Sequence, residues 1–171
     1  MKKQIKILAA ITTAATLALA PTITGFANTG WTNVQNKWYY YDQAGNSIRD
    51  QWVQEGENLF WLKDNGEMAI QAWVNFDNSW FWVNAQGAMV KDCWIPIAKD
   101  WYYIGPDGKM QANTWKESNG MTYYLTESGA VAKGWKEIDN NWYYFDLTNG
   151  DMAKNTTIGG YKVNKNGVYI Q

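Results

Sequence analysis

The sequence predicts an all-β protein built as a solenoid of repeated β-hairpins, and three periodic signals carry this prediction. The first is a tryptophan every 20 or 21 residues, at Trp31, Trp52, Trp73, Trp94, Trp115 and Trp135. The second is an aromatic cluster that begins seven residues after most of these tryptophans, and the third is a glycine about fourteen residues after each. Periods of this length are typical of repeat architectures, in which each unit buries its apolar face against its neighbours.

Residues 1–27 are predicted to be a secretory signal peptide. Lys2, Lys3 and Lys6 precede an apolar run over residues 7–20, and the segment ends in small residues at Ala27. The run of 14 residues is shorter than the roughly 20 that a membrane-spanning helix needs, although an uncleaved anchor is the alternative. We therefore expect a secreted chain that does not insert into the membrane after cleavage.

The charge balance after cleavage narrows the classes of partner. Loss of the three lysines leaves 12 basic residues against 16 acidic ones, a net charge of −4, without a basic cluster. This balance argues against nucleic acid or anionic lipid as a partner.

Cysteine and histidine usage limits the chemistry of the chain. Cys93 is the single cysteine, so no intramolecular disulfide is expected. We interpret Cys93 as a small filler residue, with a disulfide-linked dimer as the alternative. The chain has no histidine, which excludes catalytic triads, most zinc sites and imidazole acid–base roles. No metal and no cofactor is expected.

Each of the six repeats over residues 28–155 is predicted to form a hairpin. Two short aromatic and β-branched runs flank a pair that tolerates positive φ, such as Asn119-Gly120 or Asp77-Asn78, whereas Ala98-Lys99 fits poorly. We number repeat positions from the leading tryptophan as position 0. A turn at positions 4 and 5 then pairs position 0 with 9 and position 2 with 7. Pro96 at position 2 supports this register, because its missing N–H is not needed in a non-hydrogen-bonded pair.

The two faces of a hairpin are predicted to differ in role. Side chains alternate along a strand, so positions 0, 2, 7 and 9 share one face and positions 8 and 10 share the other. We interpret the face of positions 8 and 10 as core. The tryptophan-rich face is harder to explain as core alone, because natural cores favour leucine, isoleucine and valine and because an indole N–H needs a partner. Residues 156–171 lack tryptophan and are predicted to cap the array.

A cage of indole and phenol rings suits a quaternary ammonium ion, which has no N–H to donate and is attracted to ring faces. Stacking on sugar rings would use the same side chains. Composition alone leaves both ligand classes open.

The repeat unit, a tryptophan followed by W-Y-Y, G and M, resembles a known family. It is seen in Trp94-Trp101-Tyr102-Tyr103-Gly108-Met110 and in Trp135-Trp142-Tyr143-Tyr144-Gly150-Met152. It is similar to the choline-binding, or cell-wall-binding, repeats of Gram-positive surface proteins and phage lysins. The resemblance implies a left-handed solenoid that binds choline of teichoic acids between repeats, through two aromatics of one hairpin, one of the next, and a methionine. Related glucan-binding repeats keep carbohydrate open as a ligand.

The resemblance implies a set of choline-binding residues. The paired rings are Trp31 with Trp38, Trp73 with Trp80, Trp94 with Trp101, and Trp135 with Trp142. The closing rings are assigned to Trp61, Tyr103, Tyr124 and Tyr161, and the methionines are Met68, Met89 and Met110. Leu59 and Thr122 stand at position 7 of the second and fifth repeats, so we expect poor sites there and at most four ligands per chain.

The sequence therefore predicts a secreted, non-catalytic, cell-wall-associated module that binds choline-substituted teichoic or lipoteichoic acid, or wall polysaccharide. The alternatives are a glucan-binding repeat protein and a surface scaffold or adhesin, and an end-to-end homodimer is left open. An enzyme is not expected. A glycosidase needs two carboxyls about 5 to 10 Å apart in a cleft, and nothing in a 21-residue repeat builds one.

Overall fold

The computed structural model describes residues 8–9 and 29–170, and their secondary structure is β throughout. Two compact units divide the chain, Met1–Lys91 and Asp92–Gln171, and each is described by itself. The described ranges contain no helix that is long and apolar enough to cross a membrane. Apart from Leu8–Ala9, the predicted signal peptide lies outside the described residues.

The first unit contains three antiparallel hairpins, β2–β3, β4–β5 and β6–β7. Its strands are β1 Leu8–Ala9, β2 Gly30–Val34, β3 Lys37–Tyr41, β4 Gln51–Glu55, β5 Asn58–Leu62, β6 Ala72–Phe76 and β7 Ser79–Val83. The short strand β1 pairs in parallel with β4, where Leu8 lies opposite Val53.

The second unit contains three more five-residue hairpins, β8–β9, β10–β11 and β12–β13, followed by a three-stranded terminal sheet in the order β14-β15-β16. Its strands are β8 Cys93–Ile97, β9 Asp100–Ile104, β10 Thr114–Ser118, β11 Met121–Leu125, β12 Gly134–Ile138, β13 Asn141–Phe145, β14 Thr156–Ile158, β15 Tyr161–Val163 and β16 Tyr169–Ile170. We number the six hairpins in chain order.

The predicted register is confirmed in all six hairpins, with position 0 opposite position 9 and position 2 opposite position 7. In the third hairpin Trp73 lies opposite Trp82. In the fourth, Pro96 lies opposite Trp101, as its missing N–H requires. The register places the rings of positions 0, 7 and 9 on one face of each hairpin.

The turns follow from residues that tolerate positive φ. Asp77 and Asn78 both have positive φ, 50° and 54°, as in a type I′ turn. In the fourth hairpin only Ala98, the first turn residue, has positive φ, 56°. Glycine normally occupies that place in a type II′ turn, because a Cβ atom is strained there.

Replacing Ala98 with glycine is expected to raise the free energy of unfolding by about 0.5 to 1 kcal/mol, because the relief of left-handed strain exceeds the added chain entropy. Urea denaturation measures the change. The matched control is Ala85→Gly, in an exposed turn where the alanine does not have positive φ, and it is expected to lower stability by a similar amount. A destabilised Ala98→Gly variant would show that Ala98 is not strained.

Successive hairpins are joined by a backbone hydrogen bond that recurs within both units. The N–H of position 16, or of position 17 in the sixth repeat, donates to the carbonyl of position 7 in the preceding hairpin. The pairs are Met68 to Trp38 at 2.7 Å, Met89 to Leu59 at 2.8 Å, Val131 to Trp101 at 2.9 Å and Met152 to Thr122 at 2.8 Å. This bond holds each position-7 residue against the loop that follows the next hairpin.

The interior of each unit is built largely from the face of positions 8 and 10. The position-10 side chains of five hairpins are completely buried, namely Leu62, Val83, Ile104, Leu125 and Phe145. The interpretation of this position as core is therefore correct.

Position 14 favours glycine because the backbone has positive φ there, and in the third and fifth repeats the methionine of the preceding repeat also packs onto it. A Cβ atom on Gly87, whose φ is +80°, would lie 2.7 Å from Cε of Met68. Cys93 is a partly buried free thiol, and its burial together with the neighbouring Asp92 charge raises the pKa of the thiol. A raised pKa lowers the reactivity of Cys93 toward disulfide formation.

Candidate functional site

A cavity of about 410 Å³ lies between the sixth hairpin and the terminal sheet and is lined by Trp135, Trp142, Tyr161 and Tyr169. We call the place where a hairpin contacts the next hairpin or sheet of its unit a junction, and each junction takes the number of its earlier hairpin. The cavity therefore lies at the sixth junction. Ligand pockets of small molecules usually occupy about 300 to 1,000 Å³. This cavity is therefore large enough for a small organic cation.

The four rings of the sixth junction come from four strands, and three of them, those of Trp135, Tyr161 and Tyr169, meet edge to face. The ring centroid of Trp135 lies 5.9 Å from that of Tyr161 and 6.0 Å from that of Tyr169, at interplanar angles of 81° and 86°. Trp142 is 45% exposed and forms the open side of the cavity. No charged side chain is among the four, so ring faces alone would meet a ligand.

Tyr169 was missed by the sequence analysis. It enters the site because the terminal sheet has strands of only three residues and a third strand, β16, that pairs with β15. Residues 156–171 do not match the repeat template, so no position was predicted for Tyr169. The ring of Tyr161, which the resemblance assigned as a closing ring, contacts Trp135, and its contact with a ligand stays a prediction.

At the first junction three rings meet. The centroid of Trp31 lies 6.5 Å from that of Trp38, at 84°, and 5.2 Å from that of Phe60 on the second hairpin. Trp38 is 40% exposed. The buried side chain of Met68 belongs to the cluster against which Trp31 and Phe60 pack.

The third hairpin repeats the arrangement of the first. Trp73 and Trp80 lie 6.3 Å apart at 83°, and Trp80 is exposed. The agreement in distance and angle follows from the shared register, which puts positions 0 and 7 on one face in both hairpins.

At the fourth junction Trp94 lies 5.1 Å from Tyr123 of the fifth hairpin, while Trp101 is exposed. The Nε1–H of Trp94 donates to the Oγ of Ser118 at 3.2 Å. This bond supplies the polar partner that a partly buried indole needs.

In the described contacts between successive hairpins, the ring that the later hairpin places against the leading tryptophan stands at position 8, whereas the resemblance assigned the closing rings to position 9. Where the contact is described, these rings are Phe60, Phe81, Tyr123 and Tyr143. When hairpins stack in the same orientation, the face of positions 0, 2, 7 and 9 of one hairpin meets the face of positions 8 and 10 of the next. Positions 8 and 9 point to opposite faces, so the face interpreted as core also supplies a cage wall.

The three position-9 rings assigned as closing rings have other contacts. Trp61 contacts Trp52 and Phe76, and Tyr124 contacts Trp115 of its own hairpin. Tyr103, the third of these rings, contacts Trp94 of its own hairpin.

Tyr103 is 6% exposed, and its hydroxyl donates to the carboxylate of Asp92. The Nζ of Lys116 lies 3.7 Å from the centroid of its ring. The ring of Tyr103 therefore already has a cation–π contact within the chain, and its contact with a ligand stays a prediction.

The three assigned methionines pack against glycines or core clusters of the chain. Met68 lies against Gly87, and Met110 lies against Gly129. Met89 is partly buried in the core cluster of the second junction. Their contact with a ligand stays a prediction.

The second junction is filled by its own side chains. Trp52 is only 2% exposed, and its centroid lies 5.5 Å from that of Phe81. Leu59 at position 7 packs against the same cluster. The junction therefore presents no accessible face of Trp52 to a ligand.

The fifth junction has a cavity of about 370 Å³ with a different lining. Its residues are Trp115, Glu117, Thr122, Tyr143, Met152, Lys154, Lys165 and Asn166. Thr122, at position 7, is buried, and the Nζ of Lys154 donates to its Oγ1 at 2.8 Å. Polar and charged groups thus stand where the other cages have a tryptophan.

Two carboxylates in the turns accept hydrogen bonds from backbone N–H groups. Oδ1 of Asp42 accepts the N–H groups of Ala44 and Asn46, at 2.9 and 2.8 Å, and Oδ1 of Asp146 accepts those of Thr148 and Asn149. These bonds lower the pKa of both carboxyls. Within the described ranges no group of three or more Cys, Asp or Glu residues is placed to hold a metal ion.

Comparison with family models gives two matches. The model of the choline-binding repeat matches residues 28–73 and 114–156, just over half of the chain. The model of the cell wall binding repeat matches residues 72–89 and 94–110. No curated protein sequence matches significantly.

Solved structures with a similar fold come from Streptococcus pneumoniae. Choline binding protein F matches with a TM-score of 0.68 and 30% identity, over 84% of this chain and 48% of that chain. A crystal of the same protein in the presence of a peptidoglycan analogue, a tetrasaccharide-pentapeptide, matches with a TM-score of 0.67 and 31% identity, over 84% and 47%. CbpJ matches with a TM-score of 0.60 and 30% identity, over 84% and 58%.

The chain therefore spans about half the length of these solved chains. These similarities, together with the hairpins of both units, confirm the predicted all-β hairpin solenoid. Its left-handed sense stays a prediction.

Proposed function

Because the chain belongs to the choline-binding repeat family, we propose that it is a secreted, non-catalytic module that docks on choline-substituted teichoic or lipoteichoic acid of a Gram-positive cell wall. The observation that carries this proposal is the four-ring cavity of the sixth junction. Its lining lacks a charged group and offers ring faces, which suits a cation that has methyl groups in place of N–H donors.

The energy available from such a cage sets the affinity of one site. Each ring contributes about 0.5 to 2 kcal/mol by cation–π attraction. Three or four rings therefore support roughly millimolar binding after the cost of association. Sites repeated along the chain gain avidity on a polymer that repeats its choline groups.

The net charge of the chain favours recognition of choline by aromatic rings over non-specific electrostatic attraction to the polymer. After cleavage of the predicted signal peptide the net charge is −4. An acidic protein is repelled by the phosphates of a teichoic acid, so recognition has to rest on the choline groups. Binding that depends on ring contacts is expected to change little with salt.

We propose four choline sites, centred on Trp31 with Trp38, Trp73 with Trp80, Trp94 with Trp101, and Trp135 with Trp142. Their exposed position-7 rings support this count. The second junction is filled and the fifth carries a lysine ammonium, which repels a second cation. Residues 156–171 are proposed to act as a cap that also completes the last cage.

Calorimetric titration of residues 28–171 with choline is expected to give heat at millimolar concentration and no more than four sites, with a glucose oligosaccharide as the control ligand. Six equivalent choline sites would contradict the count. Heat from the oligosaccharide and none from choline would replace the proposal with a glucan-binding function.

A further inference from the structure

We infer that the cavity of the fifth junction binds a pyranose ring of a saccharide, at a site whose chemistry differs from that of the choline cages. We call this cavity the fifth-junction pocket. It is lined by Trp115, Glu117, Thr122, Tyr143, Met152, Lys154, Lys165 and Asn166.

The floor of the fifth-junction pocket is aromatic and accessible. Trp115 is 37% exposed, and its ring is fixed by Tyr143, whose centroid lies 4.9 Å away at 70°. Trp115 also contacts Tyr124, whose ring centroid lies 5.1 Å away. A tryptophan held by two neighbouring rings presents a rigid flat surface, onto which the apolar C–H face of a sugar can pack at little cost in side-chain entropy.

The walls of the pocket supply donors and acceptors together. The Glu117 carboxylate accepts hydrogen bonds, the Lys154 and Lys165 ammonium groups donate them, and the Asn166 amide does both. Sugar hydroxyls are donors and acceptors at once and are matched by this mixture. Aromatic surface with a few convergent polar groups is the usual composition of a small-molecule site.

Local structure holds these groups in place. Glu117 and Thr122 lie directly opposite each other in the fifth hairpin. Lys154 is anchored by its bond to Thr122. The turn after β15 brings Lys165 and Asn166 to the same pocket.

Lys154 makes a contact that the residues at the equivalent place of two other junctions do not show. It stands two places after Met152, which donates the backbone bond between hairpins. Two places after the corresponding donors stand Ile70 at the first junction and Lys133 at the fourth. Lys133 is engaged by the carbonyl of Lys99 at 2.8 Å and by the carboxylate of Asp100 at 3.8 Å. Only Lys154 is observed, among these three, to turn toward the position-7 residue.

The same groups disfavour the other ligand classes. Thr122 removes the second tryptophan of a cage, and two ammonium groups repel a quaternary cation. A bare phosphate would use Lys154 and Lys165 but would meet the charge of Glu117 and leave the Trp115 face uncovered. The pocket as a whole is satisfied by a ring with an apolar face and hydroxyl edges.

The test follows the indole N–H signals of the 15N-labelled protein by NMR, with an N-acetylglucosamine oligosaccharide, a glucose oligosaccharide, choline and inorganic phosphate added separately. Trp115→Phe assigns the Trp115 signal. At least one oligosaccharide is expected to shift the Trp115 signal at concentrations of about 1 to 10 mM. Choline is expected to leave it in place, whether or not choline shifts Trp135 and Trp142, so the result does not depend on the proposed function.

Two variants test the polar walls. Glu117→Gln and Lys154→Met are each expected to weaken saccharide binding by about tenfold, the usual effect of losing a charge-assisted hydrogen bond. Glu137→Gln is the matched control, because Glu137 is exposed at position 2 of the sixth hairpin and does not line the pocket. Thermal unfolding of each variant shows that the fold is kept.

Four results would overturn the inference. They are a Trp115 signal that no oligosaccharide shifts, a shift by phosphate alone, a shift by choline equal to that of Trp135, and saccharide binding that survives Glu117→Gln and Lys154→Met unchanged. The second result would make the pocket an anion site, and the third would make it a further choline cage.

Discussion

Replacing Trp52 with alanine is expected to lower the free energy of unfolding by about 3 to 5 kcal/mol, the range for truncating a large buried aromatic residue. Trp52 is almost completely buried and contacts Trp61 and Phe81, at centroid distances of 5.3 and 5.5 Å. Its removal leaves a cavity at the second junction, where the second and third hairpins meet. Urea denaturation followed by circular dichroism measures the loss.

Trp38→Ala is the control for this prediction. Trp38 lies on the face of the first hairpin that corresponds to the face of Trp52 in the second, but it is exposed. Its truncation is therefore expected to lower the free energy of unfolding by about 1 kcal/mol or less. Equal losses for the two variants would show that burial at the second junction is not what stabilises the first unit.

Replacing Trp142 with alanine is expected to weaken choline binding at the sixth junction by about 3- to 30-fold, which corresponds to one cation–π contact. Trp142 forms the exposed side of the cavity, opposite rings that the rest of the unit holds in place. Stability should change little, because an exposed ring buries little apolar surface. Calorimetry should then show one site with this weaker affinity, while the other sites keep the affinity of the parent chain.

Leu147→Ala is the matched control for Trp142→Ala. Leu147 is an exposed apolar residue of the same unit that does not line the cavity, and its truncation should leave every choline site unchanged. Loss of all sites together in Trp142→Ala would mean that this ring has a structural role and does not form one cage wall.

The hairpins and their register could be predicted from sequence because local rules determine both. A two-residue turn such as Asp77-Asn78 fixes which residues lie opposite each other, and alternation along the strand then fixes the face of every ring. The pairs Trp31 with Trp38 and Trp73 with Trp80 follow directly, since both rings belong to one hairpin.

The closing rings could not be predicted in the same way, because they depend on how one hairpin stacks on the next. The assignment to Trp61 and Tyr124 came from the family resemblance, without an argument about which face of the next hairpin meets the tryptophans. Like-oriented copies instead bring Phe60 and Tyr123 of position 8 against the tryptophan of the preceding hairpin. The repeat itself indicates this contact. Identical hairpins stacked in one orientation must place the tryptophan face of one hairpin against the opposite face of the next.

The remaining differences arise where the repeat is broken. Tyr169 belongs to a terminal sheet with shorter strands, so no repeat position applied to it. At the fifth junction Thr122 predicts the loss of a ring, but the cavity that Lys154, Lys165 and Asn166 line depends on the placement of three separate elements.

The most direct test of the central claim is a crystal structure of residues 28–171 grown with choline. We predict that the trimethylammonium group lies among Trp135, Trp142, Tyr161 and Tyr169, within about 6 Å of the ring centroids. Choline bound elsewhere on the surface, with this cavity left without it at saturating concentration, would contradict the claim that stacked hairpins recognise a methylated cation.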